Sequence, residues 1–244
     1  MSIVKRAIIM AAGLGNRMNP VSLYTPKPLI KVNGKTMIDT IVDALHENGI
    51  YEIYVVVGYK KEQFYEWSKD KSGINIIENN VYDKCNNISS LYVARNYIEE
   101  AVIIDGDQIV YNSEILNPSF TKSGYSCAWI DDYSPEWILS VDEHNTVVSC
   151  SRNGGEKGWQ LFSISRWSKE DGQKLKYLVE REFIEKENNQ VYWDDVAIFC
   201  YPEEFNLTIY PISKKDIIEI DNFDELCEID DSYNKYKKEE RNEH

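Results

Sequence analysis

Two spacings of apolar residues take turns along the first half of the chain. Predominantly apolar runs at residues 7–12, 53–57 and 74–77, and the run 102–107 that ends in Asp105-Gly106-Asp107, have the length and β-branched content of buried strands. Between them, residues 37–48 carry a helical pattern closed by Gly49, and residues 90–99 carry another. Strands that are apolar on both faces and alternate with helices predict an α/β fold. Its sheet should be twisted, mixed and mostly parallel, with helices on both faces. The second half changes rhythm. Short strand-like runs at 126–130, 138–141, 147–150 and 161–164 follow at close intervals, with a turn at Asn153-Gly154-Gly155. That spacing predicts antiparallel pairing that extends the sheet as a smaller lobe. A helix over 169–185 comes next, and residues 221–240 read as helical before fraying into the charge-rich stretch 237–244.

Composition narrows the setting. Hydrophobic residues make up 43% of the 244, which supports a sizeable core in one domain. A net charge of −14 argues against nucleic acid or an anionic membrane as a partner. The acidic segment 219–231 is expected to form a solvated face. Five cysteines, odd in number and without a C-x-x-C pair, fit the reduced thiols of a cytoplasmic protein. Lys5-Arg6 before an apolar run has the look of a signal peptide, but six apolar residues with Arg17 close behind are too few. No stretch approaches the ~18 apolar residues of a membrane helix.

The chemistry starts where the first strand ends. Ala11-Ala12-Gly13-Leu14-Gly15-Asn16-Arg17 is followed shortly by Thr25-Pro26-Lys27-Pro28-Leu29. Small residues let the backbone turn tightly and present amide N–H groups to phosphate oxygens. Arg17 and Lys27 add the full positive charges that a polyphosphate needs. There is no G-x-x-x-x-G-K-[ST], and a dinucleotide fingerprint is also excluded. Met18 stands where its third glycine belongs, and Asn19-Pro20 interrupts the expected helix. The pattern resembles the signature of the nucleotidyltransferase superfamily, roughly A-A-G-x-G-x-R, a spacer, then P-K. The resemblance implies a Rossmann-like nucleotidyltransferase fold that cradles an NTP.

Asp105-Gly106-Asp107 lies at the end of the fourth strand, and ligands of such sheets bind outside the strand carboxyl ends. Gly13 and Asp107 should therefore converge. Nucleotidyl transfer brings two polyanions together, and Mg²⁺ relieves the repulsion while taking one or two carboxylates as ligands. Asp194, in Tyr192-Trp193-Asp194-Asp195, is the second candidate carboxylate. Asp107 and Asp194 are the expected metal pair, with Asp105 a structural neighbour and Asp195 available as a helix cap.

Four segments then narrow the resemblance: Asn86-Asn87-Ile88-Ser89-Ser90-Leu91-Tyr92, Asp105-Gly106-Asp107, Glu136-Trp137 and Tyr192-Trp193-Asp194. Their order and spacing are similar to those of bacterial CTP:phosphocholine cytidylyltransferases, over nearly the whole chain from Lys5 to about Leu226. Two departures are Gly106, where choline-type sequences often carry Ala, and Trp159, an additional aromatic. The resemblance implies the reaction CTP plus phosphocholine to CDP-choline plus pyrophosphate, with Mg²⁺ on Asp107 and Asp194. Arg17, Lys27, Asp107 and Asp194 are then the catalytic set. Nucleotide contacts are expected from Ala11, Ala12, Gly13, Leu14, Gly15, Arg17, Lys27, the Gly58-Tyr59 turn, Asn86, Asn87 and Ser90. A quaternary ammonium donates no N–H hydrogen bond, so its sites use aromatic faces and a carboxylate. Tyr133, Glu136, Trp137, Trp159, Tyr192 and Trp193 are the expected acceptor residues. Residues 1–120 would serve mainly the nucleotide, 121–220 the acceptor, and 221–244 a C-terminal helix and tail. Other acceptors stay open: 2-aminoethylphosphonate, another phospho-alcohol or a sugar 1-phosphate. So does a non-catalytic, nucleotide-binding regulatory role, although binding alone need not keep both metal carboxylates.

Overall fold

β1 (Arg6–Ala11) sits inside the sheet because both of its faces are apolar. Ala7, Ile9 and Ala11 point into one core, and Ile8 and Met10 into the core on the opposite face. The computed structural model describes residues 1–240, so the expectation for 241–244 lies outside the described residues. Along the first half follow α1 (Met37–Glu47), β2 (Glu52–Val57), α2 (Lys61–Ser68), β3 (Ile74–Glu78), α3 (Ile88–Ala94), β4 (Ala101–Asp105) and β5 (Gln108–Val110). The second half adds β6 (Gly124–Ile130), β7 (Ile138–Val141), β8 (Val147–Ser151), β9 (Gly158–Trp167) and α4 (Lys169–Glu180). It closes with β10 (Thr208–Ile212), β11 (Ile217–Glu219), α5 (Phe223–Ile229) and α6 (Asn234–Glu240).

The main sheet has nine strands, and its path runs β8-β7-β9-β4-β1-β2-β3. β1 pairs in parallel with β2 and β4, and β2 with β3, so the first half forms a parallel unit. β9 then joins β4 antiparallel, and β6 and β7 both pair antiparallel with β9. The lobe thus continues the sheet, as its short strands predict. β10 adds a parallel edge on β6 that the sequence reading did not anticipate.

Several bounds move for physical reasons. α1 is capped by Thr36, whose Oγ1 accepts from the Asp39 N–H at 3.2 Å. It closes at left-handed Gly49, which lets the Ile50 N–H return to the Leu45 carbonyl. α3 begins two residues earlier than expected, because Ile88 belongs to the buried stripe with Leu91 and Ala94. It gives way to a tighter turn over Arg95–Tyr97 instead of running to residue 99. β4 stops at Asp105 because the Gly106 N–H turns to donate to the Met10 carbonyl at 2.9 Å. α4 continues as a wider π-type turn over Arg181–Glu185, so the expected helix over 169–185 is continuous. The C-terminal stretch breaks into α5 and α6 and packs Ile220 and Leu226 against Met18 and Ile30. Among the described residues no helix is long and apolar enough to cross a membrane.

Candidate active site

A cavity of about 390 Å³ opens at the carboxyl ends of β1 and β4. Ala11 and Ala12 form part of its wall, and the chain then leaves the sheet through Gly13-Leu14-Gly15. Gly15 has φ 64°, and a Cβ there would stand 3.1 Å from Lys27 Cβ. Glycine therefore serves both the left-handed turn and the close pass of the lysine-bearing segment. Arg17, Lys27, Asn87 and Ser90 line the same space, as do Asp105 and Asp107. Asn79 fixes the state of Ser90. Its carbonyl oxygen accepts from the Val81 N–H, so its NH₂ group must donate to the Ser89 and Ser90 hydroxyls, at 2.9 and 3.0 Å. Ser89 spends its own proton on the Asn86 carbonyl. The Ser90 proton is left to donate into the cavity.

The charged groups form one cluster. The Lys27 ammonium is buried, donates to Asp107 Oδ2 at 2.6 Å and lies 3.5 Å from Asp221 Oδ1. Burial works to lower the Lys27 pKa, but Asp107, Asp221 and Glu219 outweigh it and raise it. Arg17 donates to Asp221 Oδ1 at 2.8 Å from a side chain that is 70% exposed, free to change partner. Asp107, Glu219 and Asp221 bring ligand oxygens within 4.8 Å of one another. The antiparallel pair β5 and β11 is responsible, since it sets Gln108 opposite Glu219. Asp105 is pushed up to about 7 by burial and by the charge of Asp107, with Ser163 and Trp193 opposing. Asp194 is raised well above the carboxylate range by burial and by Asp105. Glu219 is raised by burial and by Asp107, Asp221 and Asp105.

Buried oxygens test the fit of a metal. Oδ1 of Asp105, of Asp107 and of Asp194 are each buried without a hydrogen-bond partner. Unsatisfied carboxylate oxygens are costly in a protein interior, and a hard divalent cation supplies what they lack. The donor set is all oxygen and strongly anionic, which suits Mg²⁺. Asp194 lines the cavity wall beside Asp105 and Asp107 but stands outside the close trio of Asp107, Glu219 and Asp221.

A second cavity of about 380 Å³ continues the first, sharing Arg17, Asn87 and the two aspartates of the β4 turn. Glu136, Trp137, Tyr192, Asp194 and Glu219 line it. The rings of Trp137 and Tyr192 meet at 90°, with centroids 5.9 Å apart. Burial raises the Glu136 carboxyl, and the nearby charge of Asp221 adds to it.

Several expected contacts lie elsewhere. Trp193 is fully buried beside Tyr125, ring centroids 6.2 Å apart, as part of the core. Trp159 sits on β9 against Trp129, and Tyr133 is exposed on a loop; neither lines the second cavity. Gly58 and Tyr59 support the first cavity from behind without lining it. A Cβ on Gly58 would lie 2.5 Å from the Tyr82 ring, and Tyr59 bonds the Ala12 carbonyl through its N–H and the Ser22 carbonyl through its hydroxyl. Asn86 is occupied with Gln190, its amide donating to the backbone carbonyl at 3.0 Å. Asp195 does act as a cap, accepting from the Tyr192 N–H at 2.8 Å. Glu219 and Asp221, expected on a solvated face, instead turn into the site. Their signal was Glu219-Ile220-Asp221, two acids flanking a residue that is fully buried.

Residues 7–157 match the model of the MobA-like NTP transferase domain. A 2-aminoethylphosphonate cytidylyltransferase of Lancefieldella rimae is 35% identical over 229 residues, covering 93% of this chain and 92% of that protein. A choline-phosphate cytidylyltransferase of Streptococcus pneumoniae is 29% identical, covering 93% of this chain and 97% of that protein. The solved structure of the CTP:phosphocholine cytidylyltransferase from Streptococcus pneumoniae superposes with a TM-score of 0.86, over 93% of this chain and 98% of that one. The inositol-1-phosphate CTP transferase of T. maritima, at 16% identity and a TM-score of 0.74, shares the fold.

Proposed function

The chain belongs to the family of MobA-like NTP transferase domains, and we propose that it is a cytidylyltransferase joining CTP to 2-aminoethylphosphonate, with release of pyrophosphate. The observation that carries the choice of acceptor is the lining of the second cavity. Only Trp137 and Tyr192 of the five expected aromatics line it, and of its six carboxylates Glu136 stands beside Trp137, apart from the groups that would hold a metal. A primary ammonium donates three hydrogen bonds and is held by carboxylate oxygens. A trimethylammonium donates none and depends on aromatic faces. A lining with two aromatic faces and the Glu136 carboxylate, short of a full aromatic cage, favours the primary amine. The similarity to a 2-aminoethylphosphonate cytidylyltransferase points the same way. Phosphocholine is the second reading, favoured by the right-angled Trp137 and Tyr192 rings, which make two walls of a cation box.

The nucleotide would lie along the first cavity, triphosphate on the Gly13–Gly15 backbone and base toward Ser90. Cytosine offers two adjacent acceptors, O2 and N3, to the donor that Asn79 leaves free on Ser90. A phosphonate oxygen then attacks the α-phosphorus in line. The new P–O bond forms as the bond to the β-phosphate oxygen breaks, and the electron pair leaves with pyrophosphate. A phosphonate is already anionic at neutral pH, so no general base is needed, and catalysis is positioning plus charge stabilisation. Lys27 would exchange Asp107 for the α-phosphate region, and Arg17 would leave Asp221 for the departing pyrophosphate. Asp107 with Asp194, or with Glu219 and Asp221, would hold Mg²⁺, whose charge offsets the repulsion between the two substrates. The division of labour follows: residues 1–120 for the nucleotide, 121–220 for the acceptor, with Asp221 closing the site from the C-terminal segment.

The test is pyrophosphate release with CTP, Mg²⁺ and each acceptor in turn. A higher kcat/KM for 2-aminoethylphosphonate than for phosphocholine is expected. The reverse preference establishes the second reading. Release with no acceptor in a panel that includes sugar 1-phosphates points to a regulatory binding protein.

A further inference from the structure

We propose that the ion pair of Arg152 with Asp195 is a positioning device that sets the angle and spacing of Trp137 and Tyr192, and through them the choice of acceptor. The proposal rests on the reading of the second cavity as the acceptor site. Arg152 directly follows β8. Its guanidinium carbon lies 3.9 Å from the Phe199 ring centre and 5.5 Å from that of Trp137. Its Nη2 donates to Asp195 Oδ1 at 2.6 Å, and the other oxygen of Asp195 accepts from the Tyr192 N–H at 2.8 Å. Trp137 meets Phe199 edge-on at 5.4 Å, as it meets Tyr192 on the acceptor side.

One guanidinium therefore ties together three segments: the start of β7, the β8–β9 loop and the turn that carries Tyr192. Trp137 and Tyr192 line the second cavity, whereas Arg152, Asp195 and Phe199 stand outside its lining. Only a planar, delocalised cation can stack on a ring while donating within its own plane to a carboxylate. The segment has other anchors besides this pair. Trp193 and Val196, both fully buried, anchor it to the core. The pair instead fixes the aromatic walls, and a small change in wall spacing is enough to favour one ammonium group over another.

The test uses the full chain and steady-state pyrophosphate release, titrating acceptor at saturating CTP and then CTP at saturating acceptor. Arg152→Gln should raise the acceptor KM about tenfold, with kcat and the KM for CTP within about threefold of wild type. It should also shift the ratio of kcat/KM between 2-aminoethylphosphonate and phosphocholine. Arg152→Lys keeps the charge without the plane and should recover only part of the loss. Phe199→Leu, which leaves the ion pair intact, should move the acceptor KM in the same direction by less. An unchanged acceptor KM in Arg152→Gln, or a parallel rise in the KM for CTP, overturns the proposal. If Arg152→Gln does not fold, Arg152→Lys decides: an acceptor KM unchanged from wild type, or a parallel rise in the KM for CTP, overturns the proposal. Wild-type protein that uses neither acceptor overturns the acceptor reading itself, a separate and recognisable outcome.

Discussion

The two halves of the site are built from different materials. The half proposed for the nucleotide is built around a backbone turn of glycines after β1, with one buried lysine and an arginine at the mouth. The half proposed for the acceptor is mostly side chain: a tryptophan, a tyrosine and several carboxylates contributed by segments far apart in the chain. Backbone amides offer the same contacts whatever side chains change around them. A wall of side chains is redrawn by a single substitution. The first half therefore suits a substrate part common to all nucleotides, and the second suits whatever distinguishes one acceptor from another.

The comparison can be broken at the point where the halves meet. Asp107→Asn removes charge from the shared cluster and should lower turnover about 10³-fold with the fold retained, read by pyrophosphate release alongside circular dichroism. Activity near wild type excludes Asp107 from the metal set. Trp137→Ala tests the independence of the acceptor wall. The acceptor KM should rise on the order of 20-fold while the KM for CTP stays put. An equal rise for both substrates merges the halves into one. Gly15→Ala is the mirror experiment. Strain at φ 64° and the 3.1 Å approach to Lys27 should raise the KM for CTP several-fold and cost about 1 kcal/mol of stability. The acceptor KM should not follow it.

The smallest expected effect is on stability. Asp105 has its folded pKa raised to about 7 by burial and by Asp107. Between the ordinary carboxylate range and that value, the folded protein holds a proton that the unfolded chain has lost. The stabilisation is full at low pH and disappears as pH rises through about 7. Metal-free wild type should lose stability steadily between about pH 4 and pH 8 from this group. Asp105→Asn should flatten that slope in denaturant unfolding. An unchanged slope assigns the dependence to another carboxylate.

What the sequence showed depended on distance along the chain. The loop after β1 was readable because Gly13, Gly15 and Arg17 lie within five residues of one another, and local chemistry fixes local geometry. The alternation of strands and helices was readable for the same reason. Glu219 and Asp221 were not, because only the pairing of β11 with β5, more than a hundred residues earlier, turns them inward. Trp193 was misplaced because Tyr192-Trp193-Asp194 does not say which ring faces the solvent; the turn sends Tyr192 outward and Trp193 into the core. β10 carries Pro211, a residue that weakens the strand pattern of 208–212. As a strand at the edge of the sheet beside β6, it tolerates a missing donor at Pro211.

The pairing of Lys27 with Asp107, and of Arg17 with Asp221, has a thermodynamic consequence. Without substrate, the site is its own counterion. A cation that takes the carboxylates must dislodge the bases, and a phosphate that takes the bases must dislodge the carboxylates. Whichever arrives first does the separating, and the second finds its partners already released. The affinity of each for the protein is thereby raised by the presence of the other, and by linkage the two increments are equal.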